Sequence, residues 1–173
     1  QYYIQCYDPA TKALMTYSTY GEMESGFDLI VGDNGCLYFG SSMNANLYEF
    51  DPSTETLRNL GNFNADTAYS CGLAYDPAGY LYAGLTGNKN NDAVHTREVV
   101  KIRLSDGALV GRTDVSSCVN KKEIMIRGAA VVNGVYIAGG IEMDTMLAID
   151  TETMELTELT YNGTVITNPV NFS

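Results

Sequence analysis

Short apolar runs, cut by glycine-bearing turns, recur along almost the whole chain. The clearest stretch is Gly128–Leu159, where GAAVVNGVYIAGG is followed by MLAIDTETMELTEL. Its first half reads as an apolar strand, a tight turn ending in glycine, and a second strand ending in glycine. The same plan returns at Phe27–Gly40 and Cys71–Gly84. Turn glycines Gly35, Gly79 and Gly134 keep one fixed offset from the strand-end glycines Gly40, Gly84 and Gly139. Asp33-Asn34-Gly35 and Asn133-Gly134 tolerate the positive φ that a hairpin turn demands. Leu37-Tyr38-Phe39, Leu81-Tyr82-Ala83 and Val135-Tyr136-Ile137 then read as equivalent strands. That gives Tyr38, Tyr82 and Tyr136 one shared role in core or inter-sheet packing.

A second hairpin follows each of these. Its copies are Tyr2–Tyr17, Leu47–Leu60, Val99–Val115 and Met146–Leu159. Tyr7, Phe50, Ile102 and Ile149 hold one position of this hairpin, and Leu14, Leu57, Leu109 and Leu156 hold another. Asp8-Pro9, Asp51-Pro52 and Ser105-Asp106-Gly107 supply turn chemistry between the strands. In the last copy Leu147 and Ile149 are expected to face one way, and Ala148 and Asp150 the other.

Two hairpins in series make a four-stranded antiparallel unit. The unit takes roughly 43 to 55 residues, the repeat length of a propeller blade, and one blade cannot bury both its faces alone. No segment sustains a 3.6-residue period, which argues against a helical solenoid. The predicted fold is therefore all-β, a β-propeller of about three and a half blades. Within it, Gly128–Leu159 resembles a kelch repeat through VVNG and the Gly139-Gly140 pair. Leu156 stands where the kelch pattern has Trp, and the other copies have Gly40-Ser41 and Gly84-Leu85 in place of the double glycine. Their Asp-Pro turns resemble bacterial propeller repeats. The resemblance implies a fold and no particular reaction.

The register divides the chain into a partial blade (1–17), three blades (27–60, 71–115 and 128–159) and the start of another (160–173). Extending the repeat from Leu156 puts the next turn glycine beyond Ser173. The chain then reads as part of a larger propeller, or as one of a pair of chains that complete it. A four-bladed disc with one incomplete blade is the alternative, and it leaves strand edges exposed.

Charge narrows the partners. The 173 residues carry 10 Lys and Arg against 21 Asp and Glu, a formal net charge of −11. So acidic a chain repels phosphate backbones, so nucleic acid is excluded as an expected partner. The longest uncharged apolar run, Gly128–Ile141, is too short and glycine-punctuated to span a bilayer.

Tight turns gather on one side of the blades and longer loops on the other, which makes the loop side the expected binding face. The longest loop inside a blade, Leu85–Arg97, holds the only histidine, His95. His95 and Arg97 suit acid/base work or the grip of a sugar carboxylate. Asn88, Asn90, Asn91 and Asp92 offer oxygens but match no calcium loop, and a lone histidine argues against a zinc or copper centre. No metal or other cofactor is expected. Lys121, Lys122 and Arg127 form a basic group in the Ser116–Arg127 loop. Glu22, Glu24, Asp28, Glu142 and Asp144 bring carboxylates to the same side, where a suitably spaced pair hydrolyses glycosides. Tyr17, Tyr20, Phe63 and Tyr69 suit stacking on sugar rings or a protein surface.

The expected ligand set is thus His95, Arg97, Asn91, Asp92, Tyr20, Tyr69, Lys122 and Arg127. Two functions fit it. One is a binding module holding a glycan or a protein. The other is part of a carbohydrate-active enzyme, a lyase or hydrolase completed outside this chain, in which His95→Ala or Arg97→Ala abolishes turnover. Cys6 and Cys36 read as small buried groups on strands, while Cys71 and Cys118 are placed for a disulfide between adjacent blades. With the sequons at Asn162 and Asn171, these features lean to an extracellular or periplasmic home.

Overall fold

The computed structural model describes residues 2–19, 25–89, 96–118, 125–141, 143, 146–157 and 159–166. Strands β1 (Tyr2–Tyr7) and β2 (Leu14–Thr19) form an antiparallel hairpin. Strands β3 (Gly26–Val31), β4 (Leu37–Ser41), β5 (Leu47–Asp51) and β6 (Thr56–Gly61) make a four-stranded meander. So do β7 (Tyr69–Asp76), β8 (Tyr80–Gly87), β9 (Thr96–Arg103) and β10 (Ala108–Asp114). A third sheet joins β11 (Met125–Val132), β12 (Val135–Ile141) and β13 (Leu147–Asp150), with Leu156 bridged to Ile149 beside its last strand. The hairpin of β14 (Thr160–Tyr161) and β15 (Thr164–Val165) follows.

Strand order in space repeats strand order in sequence, and β3 and β11 both pack on β7. The first strand of each sheet is therefore the inner one. The chain is a partial β-propeller of antiparallel blades.

The core lies in layers between neighbouring blades. Tyr38, Leu47 and Leu60 of the first full sheet pack on Leu73, Leu81, Leu85, Val100 and Ile102 of the second. Cys71, Tyr82 and Val99 of the second pack on Ile126, Tyr136, Leu147 and Ile149 of the third. Ile4 and Tyr17 of the leading hairpin cover Phe39, Tyr48 and Phe50. Each fully buried aliphatic or aromatic side chain contributes about 1.5–3 kcal/mol.

The strand-end glycines are what let these layers close. A Cβ on Gly40 would stand 2.1 Å from the Ser70 carbonyl oxygen of the next blade. One on Gly84 would stand 2.6 Å from Cδ1 of Ile126. Ser70 completes the first of these joints, donating to the Asn46 carbonyl at 3.1 Å and accepting from the Ser41 amide at 3.0 Å.

Several expectations are corrected. Tyr136 is not the equivalent of Tyr38 and Tyr82. It pairs with Ile149, the place that Leu37 and Leu81 take opposite Phe50 and Ile102. Tyr136 stands two residues after its turn glycine, as Leu37 and Leu81 do, whereas Tyr38 and Tyr82 stand three after theirs, and one residue along a strand exchanges the two faces. Tyr136 therefore looks back at the second blade. It stacks on Tyr82 with ring centroids 5.7 Å apart, and donates to the Gly72 carbonyl at 2.8 Å. In β13 Leu147 and Ile149 share the face packed on the second blade, as expected, and Ala148 on the opposite face is buried as well. Cys6 is exposed, and Cys36 lies half-buried in the turn before β4. All four cysteines are free thiols, so Cys71 and Cys118 are not bridged. A tight turn already falls at Asn162-Gly163, ahead of where the repeat placed the next one.

Aspartates organise the outer turns. The carboxylates of Asp8, Asp51 and Asp150 accept amide hydrogen bonds from Ala10, Ser53 and Glu152 at 2.8, 2.8 and 2.9 Å. Hydrogen bonds from Thr11 and Ser53, and from the amides of Thr153 and Glu152, hold these carboxyls below their ordinary 3.8. A lowered folded pKa supplies stability above the unfolded value, and that stability is lost as pH falls through the folded one. Urea midpoints should therefore drop between about pH 4 and pH 2. The combined Asp51→Ala and Asp150→Ala variant should be less stable at neutral pH and flatter across that window.

Candidate functional site

Each inner strand breaks its pairing beside a strand-end glycine. The irregularities fall at Gly26/Asp28 opposite Gly40, at Cys71/Ala74 beside Gly84, and at Ile126/Gly128 opposite Gly139. A bulge inserts one unpaired residue and re-aims its side chain. In β3 that residue is Phe27, and in β11 it is Arg127.

The two re-aimed side chains meet. The Arg127 guanidinium carbon lies 4.8 Å from the centre of the Phe27 ring. On the same ring packs Tyr69, its centroid 5.5 Å away at a 41° tilt. Inner strands of three successive blades thus converge on one aromatic ring, at the blade ends where the loops begin. Arg127 stays exposed, while Phe27 and Tyr69 are half-buried. A cation over an aromatic face is stabilised by the ring quadrupole and leaves its N–H donors outward for a ligand.

Asp28 braces this junction. Its carboxylate accepts from the Leu73 amide of the neighbouring blade at 3.0 Å and from the Leu29 amide at 2.9 Å. Gly72, in the irregular stretch of β7 at φ 60°, has Ile126 Cγ2 close against any added Cβ. Position is therefore set by backbone contacts between β3, β7 and β11. Below lies Cys71, whose thiol is pushed up to about 12 by burial, with the Asp28 charge adding to the rise and Arg127 opposing it. Such a thiol is inert as a nucleophile at neutral pH.

The loop side is also tied together between the first two full blades. Lys89 donates to the Asn44 side chain at 3.2 Å, and Asn62 to the Asn44 carbonyl. Arg112 spans from Glu98 at 2.8 Å to the Phe63 carbonyl at 2.7 Å.

Of the residues expected to bind ligand, Tyr69 and Arg127 come together through Phe27. Arg127 is on β11 and not in a loop, since the strand starts at Met125. Arg97 lies on β9, paired with Thr86, and its charge helps lower the Asp114 carboxyl after the hydrogen bonds from Ser116. Tyr20, Asn91, Asp92, His95 and Lys122 lie outside the described residues, as do Glu22, Glu24, Glu142 and Asp144. Among the described residues no group of His, Cys, Asp and Glu is arranged to hold a metal. Sequence reasoning passed over Phe27 because it read as the start of a strand. Its signal was the charged or aromatic residue set directly before the repeat's apolar run.

A second feature opens beside this junction. A cleft of about 640 Å³ runs between β1 and β3, lined by Tyr3, Ile4, Tyr17, Phe27, Leu29 and Val31 among others.

No protein-family model and no curated protein sequence matches the chain. Solved structures do match it. Virginiamycin B lyase from Staphylococcus aureus aligns at TM-score 0.64 and 14% identity, over 92% of this chain and 49% of that one. A gluconolactonase from Xanthomonas campestris aligns at TM-score 0.57 and 17% identity, over 94% and 53%. The β-propeller domain of Swd1 from Myceliophteria thermophila aligns at TM-score 0.56 and 14% identity, over 79% and 38%. These likenesses establish the propeller fold. The chain spans roughly half or less of the length of each of these structures.

Proposed function

We propose that this chain is a β-propeller binding module that holds an acidic glycan at the loop-side ends of its inner strands. The observation that carries the reading is the Arg127–Phe27–Tyr69 group, at 4.8 and 5.5 Å. An exposed guanidinium grips a carboxylate through paired N–H donors. The aromatic faces beside it offer the apolar surface on which a sugar ring stacks. An extracytoplasmic setting is part of the proposal and rests on the Asn162 and Asn171 sequons. The free thiols lend it no support, because an oxidising compartment favours disulfides.

Titration calorimetry with uronic-acid oligosaccharides and their neutral counterparts tests the reading. The parent chain should bind the acidic series, and Arg127→Ala should weaken it by about tenfold or more, a loss of about 1.4 kcal/mol. Tyr69→Ala should weaken acidic and neutral sugars alike. Equal binding of both series by the parent, or an Arg127→Ala variant that binds like the parent, would overturn it.

A further inference from the structure

We infer that the ligand of this face is an oligomer, a second acidic sugar being held beside Tyr69 by Lys89 and Asn44. The inference rests on the glycan reading and extends its site. Two chain segments start out from Tyr69 on the loop side. Ser42 bridges Tyr69 directly. Gly87 lies so close that a Cβ there would stand 2.8 Å from Cδ2 of the Tyr69 ring. Two residues further along, the segments meet again, where Lys89 Nζ donates to Asn44 Oδ1 at 3.2 Å. The Lys89–Asn44 pair therefore stands next to Tyr69, whose ring also packs on Phe27 at 5.5 Å between centroids. From Arg127 the surface runs over two aromatic rings to a second cation.

Both cations keep donors to spare. Arg58, Arg103 and Arg112 are each paired with a carboxylate, whereas among the described residues no ion pair engages Arg127 or Lys89. An ammonium has three N–H donors, and Asn44 takes one of those on Lys89. Lys89 is exposed, so the others are open to a ligand. On a chain of net charge −11, such cations are where an anion is drawn in.

Asn44 is presented by a strained loop. Met43 and Ala45, on either side of it, take φ 78° and 50°. Residues other than glycine keep this conformation where the surroundings over-determine it, and they gather at ligand clamps. Here the surroundings are explicit. Ala45 is fully buried, the Asn62 side chain donates to the Asn44 carbonyl, and the Asn46 amide donates to the Ser41 hydroxyl at 2.8 Å. Lys89 is anchored as well, its amide donating to the Asp66 carbonyl at 2.9 Å. One uronic acid carries one carboxylate, so two separately anchored cations suit two residues of one glycan chain. Once the first residue is bound, the second contact is effectively intramolecular.

Titration calorimetry with uronic acids of increasing length, from the single sugar to the tetramer, tests this. The parent should gain about tenfold or more in affinity from the single sugar to the longer oligomers. Lys89→Ala should lose that gain, bind the single sugar like the parent and keep its β-sheet circular dichroism. Lys89→Arg, which preserves the charge, should preserve the gain. Arg127→Ala should weaken every member of the series. A parent whose affinity ignores length, or a Lys89→Ala variant that gains with length as the parent does, would overturn this inference and leave the Arg127 site standing. A parent that binds no uronic acid of any length would overturn both readings.

Discussion

Gly40→Ala is expected to be among the most damaging single substitutions in this chain, costing about 3 kcal/mol or more. The new methyl would lie 2.1 Å from the Ser70 carbonyl oxygen and 2.8 Å from its carbonyl carbon. Both are backbone atoms of the adjoining blade, so no side-chain rotation relieves the contact. The blades must part, and with them go the Ser41–Ser70 bond and the seam of Tyr38 and Leu47 against Leu73 and Leu81. Gly26→Ala is the matched control. It lies on β3 with nothing within 4 Å of its Cβ, and its backbone is not left-handed. Urea denaturation of the two variants side by side should show a large loss for the first and a small one for the second. Similar losses in both would mean that the strand-end glycines serve flexibility and not blade contact.

The second large effect is loss of stability in alkali. Burial raises the Cys71 thiol from its ordinary 9.0 to about 12. Burial likewise pushes Tyr38, Tyr82 and Tyr136 above their ordinary 10.0. The folded state therefore holds these protons more tightly than the unfolded chain. Stability is complete below the unfolded values and falls as pH rises through the folded ones. The decline should begin near pH 9, with Cys71, and steepen above pH 10 as the tyrosines join. Each of the four groups lies between blades, so their ionisation acts on the same seams. Urea midpoints measured from neutrality to about pH 11 should fall steeply. Tyr136→Phe should lose the 2.8 Å bond to Gly72 at neutral pH and yet decline less above pH 10. A parent chain with a flat profile across that range would contradict the burial of these groups.

How much of this was legible beforehand depends on the range over which each contact acts. The blade pattern was legible because alternation and turn chemistry are local. Asp33-Asn34-Gly35, Asn133-Gly134 and Asp51-Pro52 announce hairpins within a few residues. The strand-end glycines were visible as a repeat, yet their reason was not, since the atom each avoids belongs to another blade. Tyr136 was misassigned because it was matched to Tyr38 and Tyr82 by residue type although it stands one residue closer to its turn glycine, and one residue decides which face a side chain takes. The hairpin turns hide a similar surprise. Lys12, Glu55 and Met154 take positive φ where only Gly107 signals it by residue type. The surrounding pairing holds them there against their local preference.

The candidate site divides in the same way. Tyr69 and Arg127 were legible as an aromatic and a cation on the loop side, because exposed residues of those types stand out against a repeating apolar background. Their meeting on Phe27 was not, because two bulges in strands far apart in sequence re-aim the side chains toward a common point. By itself the chain's pattern determined an all-β architecture of repeated hairpins, the turns that close them and the side on which long loops collect. All of that follows from backbone geometry acting over neighbouring residues. Only the tertiary structure decided which faces pack, which bulged side chains converge, and that β1 and β3 flank an open cleft. Those depend on how separate blades stack, and no local pattern encodes the approach of residues that distant.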